Sequence, residues 1–169
     1  MVAGNPPAGA KRLLVLGAGP GQLGLLEAAR DRDLYVIAAD RNPAAPWFRF
    51  ADLRAIISVE DEPQLDRLAT AERVDGLVAP GIDWPVAIAA RIAERLALPH
   101  PIDPGTAVLA TSKLRQRERF ADAGVPHPRH VVCGTLEEAL EAARGFGYPC
   151  VVKAPDRQGQ KGLVLAREE

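Results

Sequence analysis

The segment from Lys11 to Asp40 most constrains the fold of this chain. It contains, in order, an apolar run (Lys11–Leu16), a glycine turn (Gly17–Gly24), an amphipathic stretch (about Gln22–Arg32) and a second apolar run (Leu34–Ala39). Two apolar strands that are joined through a helix form a βαβ unit, and its strands are parallel and covered on both faces. The segment therefore predicts an α/β fold built on an open, mostly parallel sheet.

The same alternation continues beyond Asp40. Apolar runs predict strands at Arg54–Ser58 and Gly76–Ala79, and helical spacing predicts helices at Glu62–Glu72 and about Pro85–Leu96. The proline-rich segment His100–Gly105 then indicates the end of a first domain. We therefore expect a flexible tail at 1–10, a sheet domain at 11–108 and the beginning of a second domain at 109–169.

The second domain is predicted to end in a β-hairpin with a lysine beside a glycine loop. Before the hairpin we expect a helix from about Thr111 to Ala123, a strand at His130–Cys133 and a helix that Thr135 and Glu138 open with capping-box spacing. Two apolar strands, Cys150–Val152 and Leu163–Leu165, then flank a loop that contains Gly159 and Gly162. Lys153 ends the first of these strands, and a fixed cation beside exposed backbone N–H groups is the chemistry that binds phosphate.

The glycine turn after the first strand has two interpretations. Gly19, Gly21 and Gly24 form a GxGxxG pattern between a strand and a helix, and Asp40 ends the second strand. In a dinucleotide site such glycines approach a pyrophosphate, and the acidic residue accepts a hydrogen bond from a ribose hydroxyl. The same glycines can instead make only a tight turn and allow close packing of helix on strand. Spacing alone leaves both interpretations open.

Composition excludes several classes of protein. The formal net charge of −1 gives no electrostatic basis for binding nucleic acid or an anionic membrane. No apolar run approaches the roughly 18 to 20 residues that span a bilayer, and the first ten residues lack the pattern of a signal peptide. The two cysteines, Cys133 and Cys150, fit reduced thiols better than a disulfide. We therefore expect a cytoplasmic protein.

Residues 109–165 contain a series of spaced motifs. In order they are Lys113, Arg117 and Phe120 on a helix, Gly124-Val-Pro, Thr135-Leu-Glu-Glu-Ala, Gly147-Tyr-Pro-Cys-Val-Val-Lys153 and a glycine loop. This series resembles the start of the ATP-binding region of the ATP-grasp superfamily, in particular the large subunit of carbamoyl phosphate synthase and its split or stand-alone relatives. The preceding residues, with Asp75-Gly and Pro80-Gly-Ile-Asp83, are similar to the Rossmann-like pre-ATP-grasp domain of the same superfamily. The resemblance implies that the second domain is the start of an α+β ATP-grasp subdomain.

The resemblance also implies roles for individual residues. Cations at the positions of Lys113 or Arg117 and of Lys153 contact the phosphates of ATP, and the loop that contains Gly159, Lys161 and Gly162 closes over them. The loop with Gly17, Gly19 and Gly21 borders the acid substrate, and Asp83 is a further substrate-side candidate. The simpler alternatives are a solvated helix face for Lys113 and Arg117, loop solubility for Lys161, and an N-cap for Asp83.

The intact enzyme that the resemblance implies is an ATP-dependent ligase. It phosphorylates a small carboxylic acid with ATP and Mg²⁺, and an amine then displaces the phosphate. The family places its Mg²⁺-binding acidic residues after the position of Glu169, so we expect no metal ligand and no catalytic residue in this chain. We expect an amino-terminal piece that is inactive alone and that pairs with the remaining ATP-grasp polypeptide or with a second copy. The alternatives are an NAD- or nucleotide-binding module and a non-catalytic interaction domain.

Overall fold

The computed structural model describes residues 6–155 and 162–169, so half of the expected tail, residues 1–5, lies outside the described residues. The chain divides into two units, one that ends at Val108 and one that runs from Leu109 to Glu169. The described part of the first unit contains strands β1 (Arg12–Leu16), β2 (Tyr35–Ala39), β3 (Leu53–Ala55) and β4 (Gly76–Val78), and helices α1 (Leu23–Arg30), α2 (Glu62–Ala71) and α3 (Asp83–Arg95). Helix α4 (Pro104–Thr111) contains the division, and the second unit adds α5 (Lys113–Asp122), α6 (Leu136–Phe146), β5 (Cys150–Lys153) and β6 (Leu163–Ala166).

The first unit is built on a four-stranded sheet with the order β3-β2-β1-β4. All three neighbouring pairs of strands are parallel. The most apolar strands occupy the centre, since β2 is buried along its whole length and Leu14–Leu16 of β1 are fully buried. The predicted α/β fold with a mostly parallel sheet is confirmed.

Helices cover both faces of this sheet. Alternate residues of a strand point to opposite faces. Accordingly, Leu14 and Leu16 pack with α2 and α3, whereas Val15 packs with α1. Burial of each leucine stabilises the fold by about 1.5–3 kcal/mol, so this two-sided core holds the ends of the strands in fixed positions.

The second unit joins helices to an antiparallel hairpin. Thr135 is the N-cap of α6 as predicted, because its hydroxyl oxygen accepts a hydrogen bond from the Glu138 N–H at 3.2 Å. Glu138 in turn accepts a hydrogen bond from the Gly134 N–H at 2.7 Å, one residue earlier than a standard capping box. The predicted hairpin is also confirmed, with β5 and β6 paired from Cys150 and Ala166 to Lys153 and Leu163.

In the second half of the chain, one predicted strand is not formed and one helix was not predicted. The predicted strand at His130–Cys133 is wrong, because residues 125–133 have no regular secondary structure and Val131 and Val132 are more than half exposed. An apolar run forms a strand only where it finds a partner, and none pairs with this run in the described part of the chain. Helix α4 was missed, although Asp103 accepts a hydrogen bond from the Thr106 N–H at 2.9 Å and precedes a proline, which is a common helix start.

Burial in two strands also differs from the expectation. The strand at Arg54–Ser58 is shorter and begins earlier, at Leu53–Ala55, and Ile56 is 53% exposed. The hairpin strands look buried from sequence, yet their valines and leucines are 45–60% exposed. Val151 lies opposite Leu165 on one face and Val152 opposite Val164 on the other, so both faces of this two-stranded sheet are exposed. Apolar sequence alone therefore did not predict its burial.

Candidate functional site

At the carboxyl end of the sheet in the first unit, two neighbouring strands are followed by helices that pack on opposite faces. β1 and β4 are neighbours, but α1 and α3, which follow them, pack on opposite faces of the sheet. In open α/β sheets the crevice between two such loops is the usual ligand site. The loop after β1 contains Gly17, Gly19 and Gly21, and the loop after β4 leads to Asp83. The predicted substrate-side residues therefore all come from the two loops that follow these strands.

The glycine loop uses its own N–H groups to hold its shape. The N–H of Gly17 donates to the Ala39 oxygen (2.7 Å), that of Ala18 to Asp40 Oδ2 (2.9 Å) and that of Gly19 to Gln22 Oε1 (3.0 Å). The next residue is a proline, which has no N–H. Three consecutive donors that a pyrophosphate would need are therefore already engaged within the protein.

Asp40 braces this loop, a role that the sequence did not indicate. One carboxylate oxygen accepts the hydrogen bond from Ala18, and the other accepts one from the Asn42 N–H at 2.9 Å. The dinucleotide interpretation assigned this carboxylate to a ribose hydroxyl. In the structure its position is explained by its backbone partners.

Gln22 links the two loops and was missed by the sequence analysis. Its side chain is 3% exposed. Besides the hydrogen bond from Gly19, its Nε2 donates to the Pro80 oxygen at 2.7 Å. The partner loop is 58 residues away along the chain, so no local pattern could reveal it. The only sequence signal is a polar residue between the glycines and the apolar start of α1.

The loop after β4 approaches the glycine loop through Gly81. Its φ is +68°, and a Cβ there would lie 3.3 Å from the Gly21 oxygen. The following helix begins at Asp83, with Ile82 as the N-cap, so the alternative role of Asp83 as N-cap is wrong. The Asp83 carboxylate is exposed in the first turn of α3, where a negative charge is favoured by the helix dipole. It remains accessible to a ligand at this edge.

In the second unit, the basic side chains of helix α5 differ in their exposure. Lys113 and Arg117 are four residues apart and therefore lie on the same side of the helix. Both are partly buried, whereas Arg115 and Arg119 are exposed. This difference distinguishes the two predicted phosphate ligands from the solvated side of the helix.

The base of the hairpin loop lies beside the start of α5. The Lys113 N–H donates to the Pro155 oxygen at 3.2 Å, and the Ala154 N–H donates to the Gly162 oxygen at 3.0 Å. Gly162 has a φ of +68° and closes the loop. Lys153 is exposed at the end of β5, so its ammonium group is accessible to a ligand. The other two predicted loop residues, Gly159 and Lys161, lie outside the described residues.

The described residues contain neither a metal-binding cluster nor a helix that could span a membrane. Within 6–155 and 162–169, no group of three or more His, Cys, Asp or Glu side chains is placed to hold a metal ion. In the same ranges no helix combines the length and the hydropathy that crossing a membrane requires. Cys133 and Cys150 are free cysteines.

Comparison with known proteins places these observations in context. No protein-family model matches the chain. A formate-dependent phosphoribosylglycinamide formyltransferase from Solidesulfovibrio magneticus is 33% identical over 166 residues, which cover 95% of this chain and 41% of that protein. This chain therefore spans about two fifths of the length of such relatives.

Solved structures share the fold. A phosphoribosylglycinamide synthetase from Anaerococcus prevotii matches with a TM-score of 0.68 and 28% identity, over 95% of this chain and 39% of that one. An N5-carboxyaminoimidazole synthetase from Staphylococcus aureus, solved with ADP, matches with a TM-score of 0.77 and 21% identity, over 95% of this chain and 42% of that one. In sequence and in fold, this chain is related to the amino-terminal part of the ATP-grasp enzymes.

Proposed function

We propose that this chain supplies the amino-terminal part of an ATP-dependent ligase that activates a carboxylic acid as an acyl phosphate. The observation that carries the proposal is the 33% identity to a formate-dependent formyltransferase along 95% of the chain. The match includes both units. In this proposal the first unit binds the small substrate at the carboxyl end of its sheet, and the second unit contributes cations and a glycine loop to an ATP site.

We infer that the acid is formate and that the acceptor is the amine of phosphoribosylglycinamide. A formate oxygen attacks the terminal phosphorus of ATP, which releases ADP and gives formyl phosphate. The amine then attacks the formyl carbon, loses a proton and releases inorganic phosphate. The relatives support these formyltransferases ahead of the carbamoyl phosphate synthases as guides to the substrates.

The ATP-binding role falls to residues of the second unit. We propose that Lys113, Arg117 and Lys153 contact the phosphates and that Gly159, Lys161 and Gly162 belong to the loop that covers them. Fixed cations offset the charge of a triphosphate and orient its terminal group. Mg²⁺ would neutralise further charge, but we assign no ligand for it because no acidic cluster occurs in the described part.

On the substrate side we propose Gly17, Gly19, Gly21 and Asp83. The engaged N–H groups of residues 17–19 weigh against the dinucleotide alternative. The exposed apolar hairpin is the observation that favours the third possibility, an interaction domain. The cytoplasmic location and the pairing with an ATP-grasp polypeptide or a second copy stay predictions.

The test is release of ADP from Mg·ATP by the complete protein, measured with formate and phosphoribosylglycinamide together and with each left out. We expect sustained release over many turnovers to need both, because formyl phosphate is consumed only when the amine attacks it. Arg117→Ala is expected to raise the KM for ATP about tenfold, because a charge-assisted contact with phosphate is lost. Arg119→Ala, an exposed neighbour on the same helix, is the matched control and should change little. Release without formate, or tight NAD binding that Asp40→Ala abolishes, contradicts the proposal.

A further inference from the structure

The Gln22 amide is chemically matched to two partners on different loops. Gly19 offers an N–H and needs an acceptor, whereas Pro80 offers a carbonyl oxygen and needs a donor. An amide satisfies both at once, in a single orientation. A carboxylate of the same shape places an oxygen against the Pro80 oxygen, and an apolar side chain leaves two partly buried groups without this partner.

Glycines leave the space that this amide fills. A Cβ at Gly17 would lie 3.0 Å from Gln22 Cδ and 3.2 Å from Ile82 Cδ1. A Cβ at Gly81 would lie 3.3 Å from the Gly21 oxygen and 3.7 Å from Gln22 Nε2. A side chain at either glycine would therefore crowd Gln22 or the opposite loop, and the buried Gln22 side chain occupies the space between the loops.

We propose that Gln22 is a positioning residue that fixes the loop after β1 relative to the loop after β4. It acts through Gly19 and Pro80 and so sets the shape of the edge at which the small substrate binds. The inference rests on the proposed function and adds that this edge binds phosphoribosylglycinamide, the amine substrate, where the family resemblance had implied the acid. The proposed ATP contacts belong to the second unit. Loss of this link therefore lowers the affinity for the amine substrate and leaves the affinity for ATP unchanged.

Kinetics of the complete protein test this split. Gln22→Met keeps the length of the side chain and removes both hydrogen bonds. We expect the KM for phosphoribosylglycinamide to rise about tenfold while the KM for ATP stays within about twofold. Gly24→Ala is the matched control in α1, because a Cβ there meets no atom within 4 Å. An equal rise in both KM values for Gln22→Met overturns the positioning role.

The pH profile of Gln22→Glu provides a signature that a general loss of stability lacks. Its carboxyl group must keep a proton to donate to the Pro80 oxygen, and burial favours the neutral form. We therefore expect a KM for phosphoribosylglycinamide near the wild-type value at about pH 5 and a rise with increasing pH. Asp40 braces the same loop in the wild type and in every variant, so the wild-type profile is the control for its contribution. A profile parallel to that of the wild type overturns the proposal.

Amide hydrogen exchange separates this inference from the proposed function. In Gln22→Met the N–H of Gly19 loses its acceptor, so the Gly17–Gly21 and Pro80–Ile82 loops should exchange faster while β2 keeps its protection. Unchanged exchange in both loops overturns the link. If the wild type shows no formate-dependent release of ADP, the proposed function fails, and the exchange result still decides whether Gln22 holds the loops together.

Discussion

At the residue scale, Gly81 shows how the two loops depend on glycine. Its φ of +68° costs other residues about 1–2 kcal/mol, and the Gly21 oxygen lies 3.3 Å from the place of a Cβ. Gly81→Ala is therefore expected to lower the free energy of unfolding by about 1–3 kcal/mol in urea denaturation. Gly24→Ala in α1 meets no such contact and should instead raise it by up to about 1 kcal/mol. Equal losses in the two variants would contradict this account.

Asp75 gives a second residue-scale prediction, on pH. Its pKa is held below the ordinary value by a hydrogen bond from the Lys11 side chain and by one from the Arg12 N–H. Because the folded pKa is lowered, this stabilisation is present above the unfolded pKa of about 3.8–3.9 and is lost as the pH falls through the folded pKa. Asp75→Asn should lower the urea midpoint at pH 7 and have little effect near pH 2. A loss that is the same at both pH values would contradict this origin.

Single residues also mark how far the sequence could predict the site. The turn that contains Gly17, Gly19 and Gly21 was predicted correctly because its glycine spacing is a local pattern between a strand and a helix, whereas the substrate role of these glycines stays a prediction. Gln22 and the brace by Asp40 were not, because their roles depend on contacts between loops that the chain brings together only on folding. The same limit applies to the contact between the Lys113 N–H and the Pro155 oxygen.

At the element scale, prediction succeeded where a local pattern is sufficient. β1, β2 and the helices of the first unit follow apolar periodicity, and the sheet buries both faces of its central strands. The strand expected at His130–Cys133 failed because β structure needs a partner, which local sequence does not supply. Helix α4 was missed because it begins with Pro104. Proline interrupts a helix in its interior but is favoured at its first position, so the same residue can indicate either an end or a start.

The N-cap of α6 is a testable case at this scale. The Thr135 hydroxyl satisfies the Glu138 N–H, and α6 has only Ala143 buried, so it gains little from packing. Thr135→Ala is expected to destabilise the helix by about 1 kcal/mol, seen as faster exchange of the first-turn amides. Thr135→Ser keeps the acceptor and should restore most of the protection. Equal exchange in the alanine and serine variants would show that the hydroxyl is not the cap.

At the scale of the whole molecule, the two units differ in how they use apolar sequence. In the first unit the apolar runs are buried between helices, and β2 is at most 6% exposed. In the second unit the paired strands β5 and β6 keep Val151, Val164 and Leu165 at 45% exposure or more. The sequence predicted the covered sheet of the first unit but not the exposure of the hairpin, because burial is decided by the layers that cover a strand.

This contrast predicts unequal protection along the chain. Backbone hydrogen bonds of the hairpin lie close to water, so Leu163–Ala166 should exchange at least about tenfold faster than Tyr35–Ala39 when both are followed by mass spectrometry. Val164→Thr keeps the β-branched shape, lowers the exposed apolar area and should leave the ratio nearly unchanged. Protection of the hairpin equal to that of β2 would mean that another surface covers it in solution. Loss of that protection on dilution would then identify a second copy of the chain and favour the interaction-domain alternative.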